Sequence, residues 1–164
     1  MCASDFPARI FSARLTRTKI LVWIALLIGG IGALALGGLV VLGFQSRDMT
    51  PEIGIVDGAL TPCPDSPNCV SSEPGTPPSH YVDPLSPAVW PQLPGVIDDL
   101  GGTRVAQSDG YLYATFSSSI FKFVDDVEFR LAEDAVHVRS ASRVGESDMG
   151  ANADRVAAIK DALK

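Results

Sequence analysis

The stretch RVAQSDGYLYATFS, residues 104–117, decides the fold class. Asp109-Gly110 is a two-residue turn signal, so residues 104–108 and 111–117 read as a β-hairpin. In that register Val105 stands opposite Ala114. Side chains alternate across a strand, which puts Val105, Leu112, Ala114 and Phe116 on one face and Tyr111 and Tyr113 on the other. The apolar set reads as core. The two tyrosines read as cover for a sheet edge or as the lining of a ligand surface.

A second pair of runs follows, VDDVEFRL at 124–131 and VHVRSAS at 136–142, around Glu133-Asp134. This turn is weaker, because a type I′ turn would need positive φ at both residues. The register places Val127, Phe129 and Leu131 opposite Ser140, Val138 and Val136. On the other face Glu128 lies opposite Arg139, with Asp126 and Arg143 close by. Upstream, Ser86-Pro87 suits a helix start. Val89, Leu93, Val96, Ile97 and Leu100 then recur at helical spacing. Pro91 and Pro94 predict a kinked or two-piece helix that Gly101-Gly102 ends. Downstream, Val156, Ile159 and Leu163 give a last helix an apolar stripe. The expectation is helix, four antiparallel strands, helix: a two-layer α+β domain over residues 86–164.

The N-terminal third has another character. Ile20–Phe44 runs 25 residues without a charge. As a helix it spans about 37 Å, enough to cross a hydrocarbon core of about 30 Å. Arg9, Arg14, Arg17 and Lys19 precede it against Asp5 alone, which predicts residues 1–19 in the cytoplasm. Residues 45–164 then lie outside the cytoplasmic membrane, in the periplasm or its extracytoplasmic equivalent. A cleaved signal peptide is the competing reading, with Ala33-Leu34-Ala35 before the cut. The apolar run continues to Phe44, longer than a typical signal core. Cys2 precedes the run, unlike a lipobox cysteine, and reads as a free cytoplasmic thiol. Ala25, Gly29, Ala33 and Gly37 recur every four residues, a spacing that lets helices approach closely, either two copies or a partner helix.

The whole chain carries 13 basic and 19 acidic residues. Four basic and one acidic residue lie in positions 1–46, so the remainder has a net charge of −9. So acidic a domain excludes nucleic acid as a partner and avoids anionic headgroups.

Residues 45–85 hold eight of the twelve prolines and read as an extended tether. Within it, Cys63 and Cys69 enclose a seven-residue loop. Outside the cytoplasm two close cysteines read as a disulfide. A redox pair and a metal site remain as alternatives. C-x5-C matches neither the C-x-x-C redox spacing nor a usual zinc knuckle.

The richest polar segment is residues 139–152, leading from a strand into a helix. Arg139, Arg143 and Arg155 there suit a small anionic ligand. Equally, they suit pairing with Glu128, Asp125 and Asp126 to tie sheet to helix, with Asp148 or Asn152 as helix cap and Ser140 and Ser142 in the same cluster. Catalytic signals are sparse. Only His80 and His137 are available as histidine bases, and His137 faces Arg130, a poor setting for a general base. Asp125 and Asp126 are adjacent and point to opposite faces of a strand. Nucleophile-elbow, zincin, phosphate-loop and dinucleotide signatures are absent from the sequence. No catalytic residue, metal site or cofactor is read from it.

Three blocks together resemble a known family. Pro62-Cys63-Pro64-Asp65-Ser66-Pro67-Asn68-Cys69-Val70-Ser71-Ser72 resembles the opening signature of the family called domain of unknown function 1499. Phe123–Phe129 resembles its middle block. Arg139–Gly145 with Asp148, Gly150, Asn152 and Arg155 resembles its closing block. The resemblance covers about residues 58–164 and leaves the N-terminal apolar run outside. Glu146 departs from the aromatic residue that the pattern implies after Gly145, and a stacking contact goes with it. The resemblance implies that the three blocks form one module, and the family carries no established activity. The resulting expectation is a membrane-anchored, non-catalytic domain for binding or scaffolding. A binder of a small anion and a thiol redox protein or enzyme stand as alternatives.

Overall fold

The computed structural model describes residues 8–164, with side chains from Arg17 onward. Cys2, Asp5 and the side chains of Arg9 and Arg14 lie outside the described residues. The chain divides into two compact units, Met1–Val41 and Leu42–Lys164.

Through the first unit runs helix α1, which spans Ala8–Asp48. Its part from Arg17 to Asp48 has a mean hydropathy of 2.5 and is long and apolar enough to cross a membrane. Its apolar side chains are exposed all round, Trp23, Leu27 and Leu34 among them.

The second unit is α+β, as the hairpin signals predict. Strands β1 (Ile55–Val56) and β2 (Ala59–Leu60) form a small hairpin. Strand β3 is Cys69–Ser71, and after it come a 3-10 turn at Pro87–Gln92 and helix α2 at Leu93–Asp99. Strands β4 (Thr103–Ser108), β5 (Tyr111–Ser117), β6 (Val124–Leu131) and β7 (Val136–Ser142) precede helix α3 at Ala151–Ala162. The main sheet has the order β3-β7-β6-β5-β4 and is antiparallel throughout. Ser86 caps the 3-10 turn by accepting from the Ala88 N–H at 3.3 Å, and the two-piece helix follows from Pro91 and Pro94.

The sheet is five-stranded where four strands were expected. Cys69, Val70 and Ser71 pair with Ala141, Ser140 and Arg139, so part of the expected tether is an edge strand. The β1–β2 hairpin also lies in that segment. Its turn is Asp57-Gly58, both with positive φ, the same dipeptide signal as at 109–110. A β-bulge between Arg104 and Ala106 overturns the expected Val105–Ala114 pairing. The extra residue turns Val105 out of the core and leaves it 57% exposed. The β6–β7 register is the expected one, and the weak turn is a four-residue loop closed by the Ala132 N–H on the Ala135 carbonyl at 2.7 Å.

One face of the sheet carries Leu112, Ala114, Val127, Phe129, Val136 and Val138, all buried under Leu93, Ile97, Val156 and Ile159 of the helices. Within the second unit, the last turn of α1 also meets the sheet. Buried Ser46 Oγ accepts from the Val124 N–H at 3.1 Å and donates to the Gly43 carbonyl at 2.8 Å. A methyl group on Gly43 would collide with the Phe121 carbonyl oxygen, so the close approach needs glycine.

Phe129 is fully buried at the centre of this core. Phe129→Ala should cost about 3–5 kcal/mol of stability, read as a lower urea midpoint with an unchanged slope.

Candidate functional site

Strand alternation that buries Val127 and Phe129 toward the helices sends Asp126, Glu128 and Arg130 to the opposite face. Tyr111 and Tyr113 of β5 and His137 and Arg139 of β7 join them. This charged face is buried too: β2 packs across β6 and β7, and Gly54 and Glu73 reach its charged groups.

Each carboxylate on the face has partners. Glu128, 0% exposed, accepts from Tyr111 Oη at 2.7 Å, from Arg139 Nη1 at 3.2 Å and from the Gly54 N–H. Asp126 accepts from Tyr113 Oη at 2.6 Å and from Arg143 Nε and Nη2 at 2.9 and 2.8 Å. Glu73, from the covering segment, accepts from Arg130 at 2.8 and 2.7 Å and from the Leu60 N–H at 2.9 Å. Arg143 Nη1 also lies 3.3–3.4 Å from the carbonyl oxygens of Ser46, Arg47 and Met49. Those carbonyls end α1 and lack helical donors, so a cation suits them.

Burial raises the Glu128 carboxyl above its usual range despite the pull of Tyr111, Gly54 and Arg139. Burial also tends to raise Glu73, but the Arg130 and Leu60 hydrogen bonds hold it below the usual range. Burial and the hydrogen bond to Asp126 push the Tyr113 phenol up to about 12, and burial with Glu128 pushes Tyr111 further.

Arg155 lies on the opposite face of the sheet from Arg139 and Arg143. It pairs with Asp125, donates to Ser140 Oγ at 3.1 Å and to Asn152 Oδ1 at 2.7 Å, and covers the Phe116 ring. Fully buried Asn152 is the knot of this second cluster. Its Nδ2 donates to the Asn68 carbonyl at 2.9 Å, to Ser142 Oγ at 3.0 Å and to Asp148 at 2.7 Å, while its Oδ1 accepts from Ser140 at 2.6 Å. Neither Asp148 nor Asn152 is the N-cap of α3, as was expected: that position is Gly150, which has no side chain to cap with. Asp148, two residues earlier, accepts from the Asn152 N–H at 2.8 Å and the Gly150 N–H at 3.0 Å. The three sequence blocks therefore meet in space, split between two faces as the adjacent Asp125 and Asp126 require.

Cys63 and Cys69 are joined by a disulfide. His80 Nδ1 lies 2.9 Å from the Cys69 carbonyl, and His137 Nδ1 lies 3.0 Å from the Ser72 carbonyl. Sequence reading missed Glu73, Tyr111 and Tyr113 as partners in the charged face. The odd-numbered tyrosines of β5 were a usable signal; Glu73 had none, since it arrives from a distant loop. Among the described residues no three His, Cys, Asp or Glu side chains gather as a metal-binding group.

A cleft of about 220 Å³ opens on the charged face. Thr50–Glu52, Pro64, Asp126, Arg139 and Arg143 are among the residues that line it. A larger, shallow depression beside β4, about 490 Å³, is lined by Asp98 and residues 102–107 and sits away from the charged face.

Two predictions follow from this geometry. Glu73→Gln should lower stability at pH 7 by about 3 kcal/mol, because Arg130 loses its buried counter-charge. With a lowered pKa, the Glu73 contribution is complete above the ordinary value of 4.5 and lost as pH falls through the folded value. Urea titrations should therefore show the two proteins converging in acid. Replacing both disulfide cysteines with serine should cost about 2 kcal/mol in the chain-entropy description, matched by adding reductant to the unsubstituted protein.

A family profile described as "Protein of unknown function (DUF1499)" matches residues 59–163. Neither the curated proteins nor the solved structures contain a match. The profile spans the sheet, both helices that cover it, the disulfide loop and both polar clusters. It covers well over half of the sequence, and the chain belongs to the DUF1499 family of proteins of unknown function.

Proposed function

We propose that the protein is anchored by α1 as a single membrane pass and presents its acidic sheet domain outside the cytoplasmic membrane, as a binding or scaffolding module and not as a catalyst. The observation that carries this reading is an 18-residue apolar stretch within Arg17–Asp48, none of which is buried against protein. Such a surface is stable in lipid and costly in water. The basic flank before it supports an inside N-terminus, and the disulfide supports an oxidising compartment for the domain.

The charged face supports a rigid module. Asp126, Glu128 and Glu73 each already hold an arginine, and both imidazoles lie against backbone carbonyls. Groups so engaged hold a surface in shape; a general acid or base needs a proton path to substrate. Ala25, Gly29, Ala33 and Gly37 supply a face on which two such anchors pack in the membrane.

Fusions of alkaline phosphatase and of green fluorescent protein after Lys164 test the topology. The expected result is an active phosphatase and a dark fluorescent protein, with the chain retained in carbonate-washed membranes. The reverse pattern overturns the orientation. A mature protein that begins after Ala35 overturns the anchor.

A further inference from the structure

We infer that the cleft beside Arg139 binds an oxyanion, a phosphate or carboxylate group carried by a small molecule or a lipid headgroup. Arg139 is only 5% exposed and lines the cleft. Its Nη1 is held by Glu128, but its Nε has no hydrogen-bond partner. Among the described residues it is the one buried side-chain nitrogen or oxygen in that condition. A buried donor without an acceptor is costly, the more so on a cation. The guanidinium is a rigid fork, and the edge that carries Nε matches two oxygens of a carboxylate or phosphate.

The surroundings fit a small ligand. Arg143 also lines the cleft, and its own guanidinium is already fixed by Asp126, Tyr113 and the end of α1. The carboxylates at the cleft are Asp126, neutralised by Arg143, and exposed Glu52. Glu128 engages Arg139 through Nη1 at 3.2 Å and leaves Nε unmatched. A volume near 220 Å³ admits a headgroup or small acid. The net charge of −9 beyond residue 46 repels polyanions, which restricts the ligand to one or two charges. Arg155 takes no part, since it lies across the sheet with Asp125.

The test uses the full chain, 15N-labelled at arginine, in phosphatidylcholine nanodiscs. The Nε–H resonance of Arg139 is assigned by its loss in Arg139→Lys. Sodium phosphate and then sodium acetate are titrated at constant ionic strength against chloride. A saturable shift of that resonance assigns a soluble oxyanion. A shift only when equal parts of phosphatidylglycerol enter the nanodisc assigns a lipid headgroup. Arg139→Lys should weaken phosphate binding about tenfold or more. Glu52→Gln removes an exposed repulsive charge and should tighten it about threefold, a readout that stands if Arg139→Lys does not fold. No shift in any arm, or affinity unchanged by both substitutions, overturns the assignment.

Discussion

Glu128 and Arg139 face each other across β6 and β7 with their charges out of water, and this pair constrains the rest of the domain. Taking two ions from water costs several kcal/mol each, and their attraction repays that only with further hydrogen bonds. Tyr111 supplies one from β5 and the Gly54 backbone supplies another from the covering segment. The central charge pair thus requires a neighbouring strand and a lid. The sheet is buried on both sides, by apolar helices on one and by a proline-rich segment on the other.

The same logic explains how the proline-rich segment stays in place. It has little helix and only short strands, so its backbone groups need other partners. The Leu60 N–H donates to Glu73, the Asn68 carbonyl accepts from the Ser142 N–H and from Asn152 Nδ2, and the Asn68 side chain adds a bond to the Gly145 carbonyl. The disulfide shortens the loop that delivers Asn68 and Cys69 to the sheet edge. Proline lowers the entropy lost when such a segment is ordered, which makes it a suitable lid. Arg143 belongs to the same economy of partners, since one guanidinium satisfies Asp126, Tyr113 and the open carbonyls at the end of α1.

Against this background of satisfied groups, Arg139 Nε stands apart. The buried acids Glu73, Asp125, Asp126 and Glu128 are each matched by an arginine at short range, so the strong negative charge of the domain is a property of the outer surface. A cleft lined by two arginines in an acidic domain selects by size and geometry, since larger anions are repelled before they arrive.

Much of the fold was legible because it rests on local periods. The alternation in 124–131 and 136–142 fixed the pairing of Glu128 with Arg139 and the separation of Asp125 from Asp126. Ser86-Pro87 marked a helix start, Asp109-Gly110 a turn, and the uncharged run at 20–44 a membrane-length helix. What only the tertiary structure decided involves contacts far apart in sequence. The pairing of residues 69–71 with 139–141 leaves no local trace, so a proline-rich composition read as tether conceals an edge strand and a lid. The bulge at Val105 shifts a register that alternation alone leaves continuous. Three arginines within 17 positions read as one block, yet a strand and a helix deliver them to opposite faces. Spacing encodes which way a side chain points along its own element; only packing decides which elements share a surface.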